Sequence, residues 1–303
     1  MSRLCHYCLC GALAALICGC GALPKAPLAS PKSQQPRSTV RASRKPTQAS
    51  ALESIAAAHA RYASAVIHEL NGNAESALEE FCQAAEADPS NEWLMLEVSR
   101  RLIAQKKLEK AEELLTLAAK QPDASGPVLA RLAMVQSQLG QTAESLDTSR
   151  LAIRKAPATL AAYQSLFVTY VQNKQNAEAL QTLDAAAKVP KPSAEFLLGL
   201  SELYVTYGLQ VPDARKAATE KAVDLLKRAR KMNPSEPALK LKLADGLSLL
   251  GEQQAAAELY TELLSKTTHL PVLQENVHTK LANIYLRSSN KEKAAEQLTA
   301  LTR

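Results

Sequence analysis

At 303 residues the chain is long enough for two ordinary domains or one extended array, yet only 4% of it is aromatic and it holds just 10 glycines. So few large rings exclude a conventional aromatic core and favour an all-α chain of closely packed helices. The net charge of +6 does not point to nucleic acid: seven of the 36 basic residues (Arg3, Lys25, Lys32, Arg37, Arg41, Arg44, Lys45) lie in the first fifty, where there is no Asp or Glu, leaving 29 against 30 acidic residues in the rest.

In chain order, residues 1–19 carry one charge at Arg3 and an apolar run from Leu9 to Cys18, too short to span a bilayer as a helix, which needs about 20 residues. Five of the six cysteines (Cys5, Cys8, Cys10, Cys18, Cys20) crowd into the first twenty residues. The C-x-x-C at Cys5–Cys8 has no second ligand pair, so neither a metal nor a cofactor is expected. Ile17-Cys18-Gly19-Cys20 resembles the lipobox of bacterial lipoproteins, with an aliphatic residue three places before the cysteine and a small one just before it. That resemblance implies a signal peptide over 1–19, cleavage before Cys20, and acylation of Cys20 as a membrane anchor. Cys18 departs from the usual pattern, and cleavage after Ala22 by the ordinary signal peptidase is the rival. Gly21, in place of the aspartate that retains such proteins at the inner membrane, implies the outer membrane of an exported, periplasm-facing protein.

Residues 20–50 form a basic linker in which Pro24, Pro27, Pro31, Pro36 and Pro46 prevent helix. It is a solvated spacer, or it adds electrostatic attraction to anionic headgroups.

From residue 51 the chain repeats with a period of 34. Ala77, Ala111, Ser145 and Ala179 share that spacing, as do Ala84, Ala118, Ala152 and Ala186. Two ladders of small residues on one period describe helix pairs that approach closely at fixed points, with Pro89 and Pro157 ending the second helix of their units. About seven units follow: 58–91, 92–125, 126–159, 160–193, a fifth over 194–236 that is nine residues too long, 237–270, and 275–303. The pattern (for example Tyr163, Leu166, Tyr170, Ala179, Leu183 and Ala186 in the fourth unit) resembles the tetratricopeptide repeat. The resemblance implies an all-α superhelix (α-solenoid) of antiparallel helix pairs, and a non-enzymatic scaffold that binds protein or peptide partners along a groove lined by the first helices.

By register that groove would be lined by Tyr62, Val66, Trp93, Leu96, Arg100, Gln164, Val168, Gln172, Leu198, Glu202, Asp245, Asn276 and Asn283. Trp93 is either its anchor or packs against the first unit. The Lys/Asn/Asn/Lys/Arg clamp of chaperone-binding relatives is not reproduced; Asn283 alone occupies a comparable slot. In the long fifth unit, Lys227, Arg228, Arg230 and Lys231 form either a solvated face that stabilises a helix C-terminus or a docking patch for an acidic partner. The last unit ends without a polar capping helix over Leu298 and Leu301, from which self-association or partner docking is expected.

No zinc-protease, serine-hydrolase, phosphate-loop or dinucleotide motif occurs. His59 and His68 are nine residues apart and so do not share a helix face. Cys82, the single cysteine of the array, is expected to be a buried, inert thiol. The expected function is therefore that of a lipid-anchored adaptor in the bacterial envelope. The alternative is a soluble secreted or periplasmic protein that binds peptide or glycan without an anchor.

Overall fold

The computed structural model describes residues 48–301; the expected signal peptide, Cys20 and the linker as far as residue 47 lie outside the described residues. The described residues form fourteen α-helices in seven antiparallel pairs, with no strand among them. The pairs are α1 Gln48–Leu70 with α2 Ala74–Ala87, α3 Glu92–Ala104 with α4 Leu108–Ala119, and α5 Gly126–Gln138 with α6 Thr142–Lys155. Then come α7 Leu160–Gln172 with α8 Asn176–Ala186, and α9 Ala194–Gln210 with α10 Arg215–Lys231. The array continues with α11 Pro237–Leu249 and α12 Gln253–Lys266, then α13 Pro271–Arg287 and α14 Lys291–Ala300. Two helices begin earlier than the period suggests. α1 is already helical at Gln48, and α13 starts at Pro271, whose fixed φ suits a first helical position, rather than at 275.

The small-residue ladders mark where the helices of a pair cross. Ala77, Ala111, Ser145 and Ala179 are at most 3% exposed, and Ala222, Ala256 and Ala294 continue the row through the last three pairs. Ala84, Ala118, Ala152, Ala186 and Ala229 form the second row, equally buried. A third row runs along the first helices as Ala65, Ser99, Ala133, Ser201, Ala244 and Ala282, broken only by the buried Phe167. A methyl or hydroxymethyl at each crossing lets the backbones approach until the larger side chains between them interlock.

The chain reverses between the helices of most pairs through one residue with positive φ: Gly72 (77°), Lys106 (59°), Gly140 (78°), Lys174 (58°), Gly251 (88°) and Ser289 (58°). Asn91, Ser125, Ser193 and Asn290 cap α3, α5, α9 and α14, each accepting a hydrogen bond from the backbone N–H three residues on.

In the fifth pair Gly208 occupies the turn slot, yet α9 runs straight through it to Gln210. Added length takes up the nine extra residues: α9 and α10 have 17 residues each, and a 3-10 turn at Pro212–Ala214 joins them. Gly208 serves instead as a close-packing point, where a Cβ would lie 3.2 Å from Arg215 Cα and 3.3 Å from the Ala218 methyl.

The apolar core is not continuous along the array. One cluster runs from Ala65 to Val135, centred on Phe81, Met95, Leu102 and Leu115, and a larger one from Tyr163 to Ile284. Between them lie a group of four (Leu129, Ala130, Ala152, Ala162) and a seam of buried hydroxyls. Ser145 Oγ donates to the Ala133 carbonyl (2.7 Å) and lies 2.9 Å from Thr169 Oγ1; Ser149 and Ser165 share a hydrogen bond of 2.7 Å. Thr169 also donates to the Ser165 carbonyl (2.9 Å). These bonds satisfy the buried groups but contribute only about 1 kcal/mol each, less than a large apolar side chain buried in the same place.

Urea unfolding should therefore proceed in two steps. Trp93, the single tryptophan, reports the smaller N-terminal cluster, so its fluorescence midpoint should fall below the midpoint of helix loss by circular dichroism. Coincident midpoints would show that the hydroxyl seam transmits cooperativity as well as an apolar core does.

Candidate functional site

The first helices α1, α3, α5, α7, α9, α11 and α13 present a shared face, and the structure distributes the expected lining residues unevenly along it. At its N-terminal end Tyr62 is half-buried between Phe81 and Trp93, with ring centroids 5.2 Å and 5.6 Å away and both pairs edge-on. Trp93 packs against the first pair, as one of its two readings had it, and stays 60% exposed. Val66 and Leu96 are half-buried and Arg100 is exposed. Arg100 is held by two hydrogen bonds to Glu97, from Nε at 3.0 Å and from Nη2 at 2.7 Å.

In the middle of the array Gln164 and Gln172 are exposed and Val168 is half-buried. Gln172 accepts a hydrogen bond from Ser137 (2.7 Å), so it also ties α7 to α5. Toward the C-terminal end the face opens into two hollows that share Asp245 and Leu249. One, of about 450 Å³, lies between α9 and α11 and is lined by Ser201, Glu202, Val205, Thr206, Lys242 and Gly246 among others. Leu198 lies on its floor at 4% exposure, so it is core rather than the free lining residue expected from register. The other hollow, of about 410 Å³, lies between α11 and α13 and includes Ser248, Tyr260, Lys280, Asn283 and Arg287.

Asp245 links the two hollows. It accepts hydrogen bonds from Tyr260 Oη, and Lys280 Nζ lies 2.8 Å away. Burial, reinforced by the hydrogen bond and charge of Asp245, pushes the Tyr260 phenol far up, so it stays a donor. Asn276 and Asn283 are exposed.

Sequence register missed Arg131, Lys242 and Lys280. All three hold one slot, two residues before the buried small residue of their helix (Ala133, Ala244, Ala282). The signal was a recurring cation at a slot to which no lining role had been assigned.

Of the four basic residues expected to form a patch on α10, two are tied to the neighbouring pair and a third pairs within its own helix. Lys227 pairs with Glu252 (2.8 Å), Arg230 with Glu258, and Arg228 with Asp224 one turn earlier (3.9 Å). Only Lys231 of that group has no partner among the described residues. Such exposed pairs stabilise by at most about 1 kcal/mol, but they answer charges that a docking patch would leave open. Cys82 is 2% exposed, and burial pushes its thiol up, away from the reactive thiolate. No cluster of three or more His, Cys, Asp or Glu suited to a metal occurs among the described residues.

Around Arg100 the charges predict a pH response. Hydrogen bonds from Arg100, opposed by burial and assisted by Arg101, hold the Glu97 carboxyl below the usual carboxylate range. A carboxylate depressed by folding stabilises the fold above its unfolded value of about 4.3, and that contribution is lost as pH falls through the folded value. Glu97→Gln should lower the urea midpoint of the Trp93 transition at pH 7, and the deficit should shrink as pH falls toward ~2.5. An equal deficit at both pH values would mean that the carboxylate charge contributes nothing.

A family model described as tetratricopeptide repeat matches residues 46–92, the stretch that holds α1 and α2. Among curated proteins no sequence matches. The fold is similar to solved structures at low identity. YrrB, titled as a tetratricopeptide repeat protein with an unusual peptide-binding site, is 17% identical, with 62% of this chain and 91% of that one covered and a TM-score of 0.40. A tetratricopeptide repeat protein from Parabacteroides merdae is 18% identical (82% and 93% covered, TM-score 0.40), and PilF from Pseudomonas aeruginosa is 16% identical (75% and 92%, TM-score 0.39). Residues 46–92 carry the sequence pattern of a tetratricopeptide repeat, and the described chain folds as an all-α superhelix of helix pairs of that type.

Proposed function

We propose that this protein is a non-enzymatic scaffold that holds protein or peptide partners on the face of its first helices. The observation that carries this reading is Trp93: a large amphipathic ring, 60% exposed, supported edge-on by Tyr62, on the face that also bears the two C-terminal hollows. A ring that is fixed but uncovered loses little conformational freedom on binding, which is what makes tryptophan a frequent anchor. The mixed lining of the hollows, with carboxylates, amines and aliphatic side chains together, suits an extended polypeptide better than a small apolar ligand.

The tether belongs to the same proposal. Acylation of Cys20 would fix the array at a bacterial envelope membrane, most simply the outer one, with the proline-rich stretch as spacer. Support comes from the lipobox-like residues alone. No helix among the described residues is long and apolar enough to cross a membrane. Several acyl chains anchor firmly where one binds reversibly, since each buried methylene contributes about 0.8 kcal/mol.

Two measurements test the parts separately. In a bacterial host fed an alkyne fatty acid, the wild-type protein should take up label and Cys20→Ala should not; an unlabelled wild type overturns the anchor. A photo-crosslinker placed at Trp93 or Asn283 should yield partner adducts, while one at Leu117, on a second helix, should not. Trp93→Ala should weaken the captured partner by at least about tenfold. Adducts of equal yield from all three positions would overturn the groove.

A further inference from the structure

One half-buried charge on the first-helix face has no counterpart among the described residues. Arg131 on α5 is half-buried, yet it makes no hydrogen bond or ion pair with any described residue. Its surroundings are otherwise well satisfied. Glu97 accepts from Arg100 Nε and Nη2 and from Arg101 Nε (2.9 Å); Arg101 Nη1 reaches Glu69 at 2.5 Å, and its guanidinium lies 4.3 Å from the centroid of the Phe81 ring. Two carboxylates thus serve Arg100 and Arg101, and no anion remains for Arg131. Burial and the like charge of Arg100 both act against its protonated form.

The repeat supplies an internal comparison. Arg100 follows the buried Ser99, and Arg131 stands two residues before the buried Ala133. Asp245, following Ala244, and Lys280, two before Ala282, hold the same two slots in the last pairs, and there they form an ion pair of 2.8 Å. The two slots that join α11 to α13 by opposite charges therefore hold two arginines on α3 and α5, near enough for the charge of Arg100 to act on Arg131. A half-buried cation that faces a like charge costs stability unless an anion joins it.

The neighbouring side chains indicate what carries that anion. Trp93 and Leu96 lie seven and four residues before Arg100 on the same face of α3, and the half-buried Met134 lies one turn after Arg131. A guanidinium fork fits a carboxylate, and Arg100 Nη1 is not used by Glu97. An apolar and aromatic row beside the fork fits the residues that flank that carboxylate in a polypeptide.

We propose that Arg131 and Arg100 receive an aspartate or glutamate side chain of a bound peptide, with an adjacent apolar residue of that peptide against Trp93 and Leu96. This rests on the scaffold reading above and names the chemistry of what the N-terminal half of the face would take. The α10 cations do not compete for this role, since three of them are already paired.

The test pans a random dodecapeptide phage library against the full-length protein, as wild type, Arg131→Gln and Arg131→Lys. Helix content by circular dichroism serves as the folding control. Wild type should enrich peptides with an acidic residue beside an aliphatic or aromatic one. Arg131→Gln should lose the acidic preference while still recovering apolar sequences, and Arg131→Lys should keep part of it. For a synthetic peptide from the selection, Trp93 fluorescence titration should show at least a tenfold loss of affinity in Arg131→Gln. Replacing the peptide's acid by its amide should give the same loss, and the two changes together no more than either alone. Peptides without acidic enrichment, or acidic enrichment that persists in Arg131→Gln, would overturn the arginine site and leave the scaffold reading standing. A fully helical wild type that enriches no peptide would overturn both.

Discussion

Everything in the array depends on how closely two helices can approach. The row through Ala77 sets that distance seven times over, with the rows through Ala84 and Ala65 repeating it in most pairs, and each subsequent feature is placed by it. Because the crossings recur at fixed slots, the side chains between them recur too, and a face unused in packing is carried unchanged from pair to pair. The first-helix face follows from the same spacing. It is the part of each first helix that the small-residue contacts do not consume.

Within that frame the sequence varies most where packing leaves it free. One pair of slots on neighbouring first helices holds Asp245 with Lys280 near one end and Arg100 with Arg131 near the other. The fold is indifferent to the exchange; the electrostatics are not. One version is closed by an ion pair between helices; in the other Arg100 pairs within its own helix with Glu97, and Arg131 has no partner among the described residues. Both kinds of local chemistry sit on one backbone geometry, which is how a repeat scaffold acquires distinct positions without altering its architecture.

The period of 34 and the alanine rows made the helix pairs legible in the sequence, because close crossing leaves a strong compositional mark. The lining of the face was legible by slot but not by state. Tyr62 and Trp93 could be placed together, whereas the burial of Leu198 depends on how α9 and α11 settle around Gly246 and Leu226, a long-range outcome. The hydroxyl seam around Ser145, Ser149, Ser165 and Thr169 read only as departures from a pattern. That they satisfy one another emerges when α6 meets α7. Arg131 escaped notice for a related reason: an arginine on a helix surface is unremarkable until its neighbours are seen to be fully engaged.

The long fifth pair shows how the array tolerates growth. α9 has four residues more than the 13 of α7 or α11, close to one helical turn of 3.6. An insertion of nearly one turn returns the helix to almost the same rotational phase. α10 is longer than the 14 residues of α6 or α12 by three, and its Ala222 and Ala229 stay buried. The added turn of each helix lies beside the joining turn at Pro212–Ala214, so the pair lengthens along its axis while the stacking beyond it keeps step.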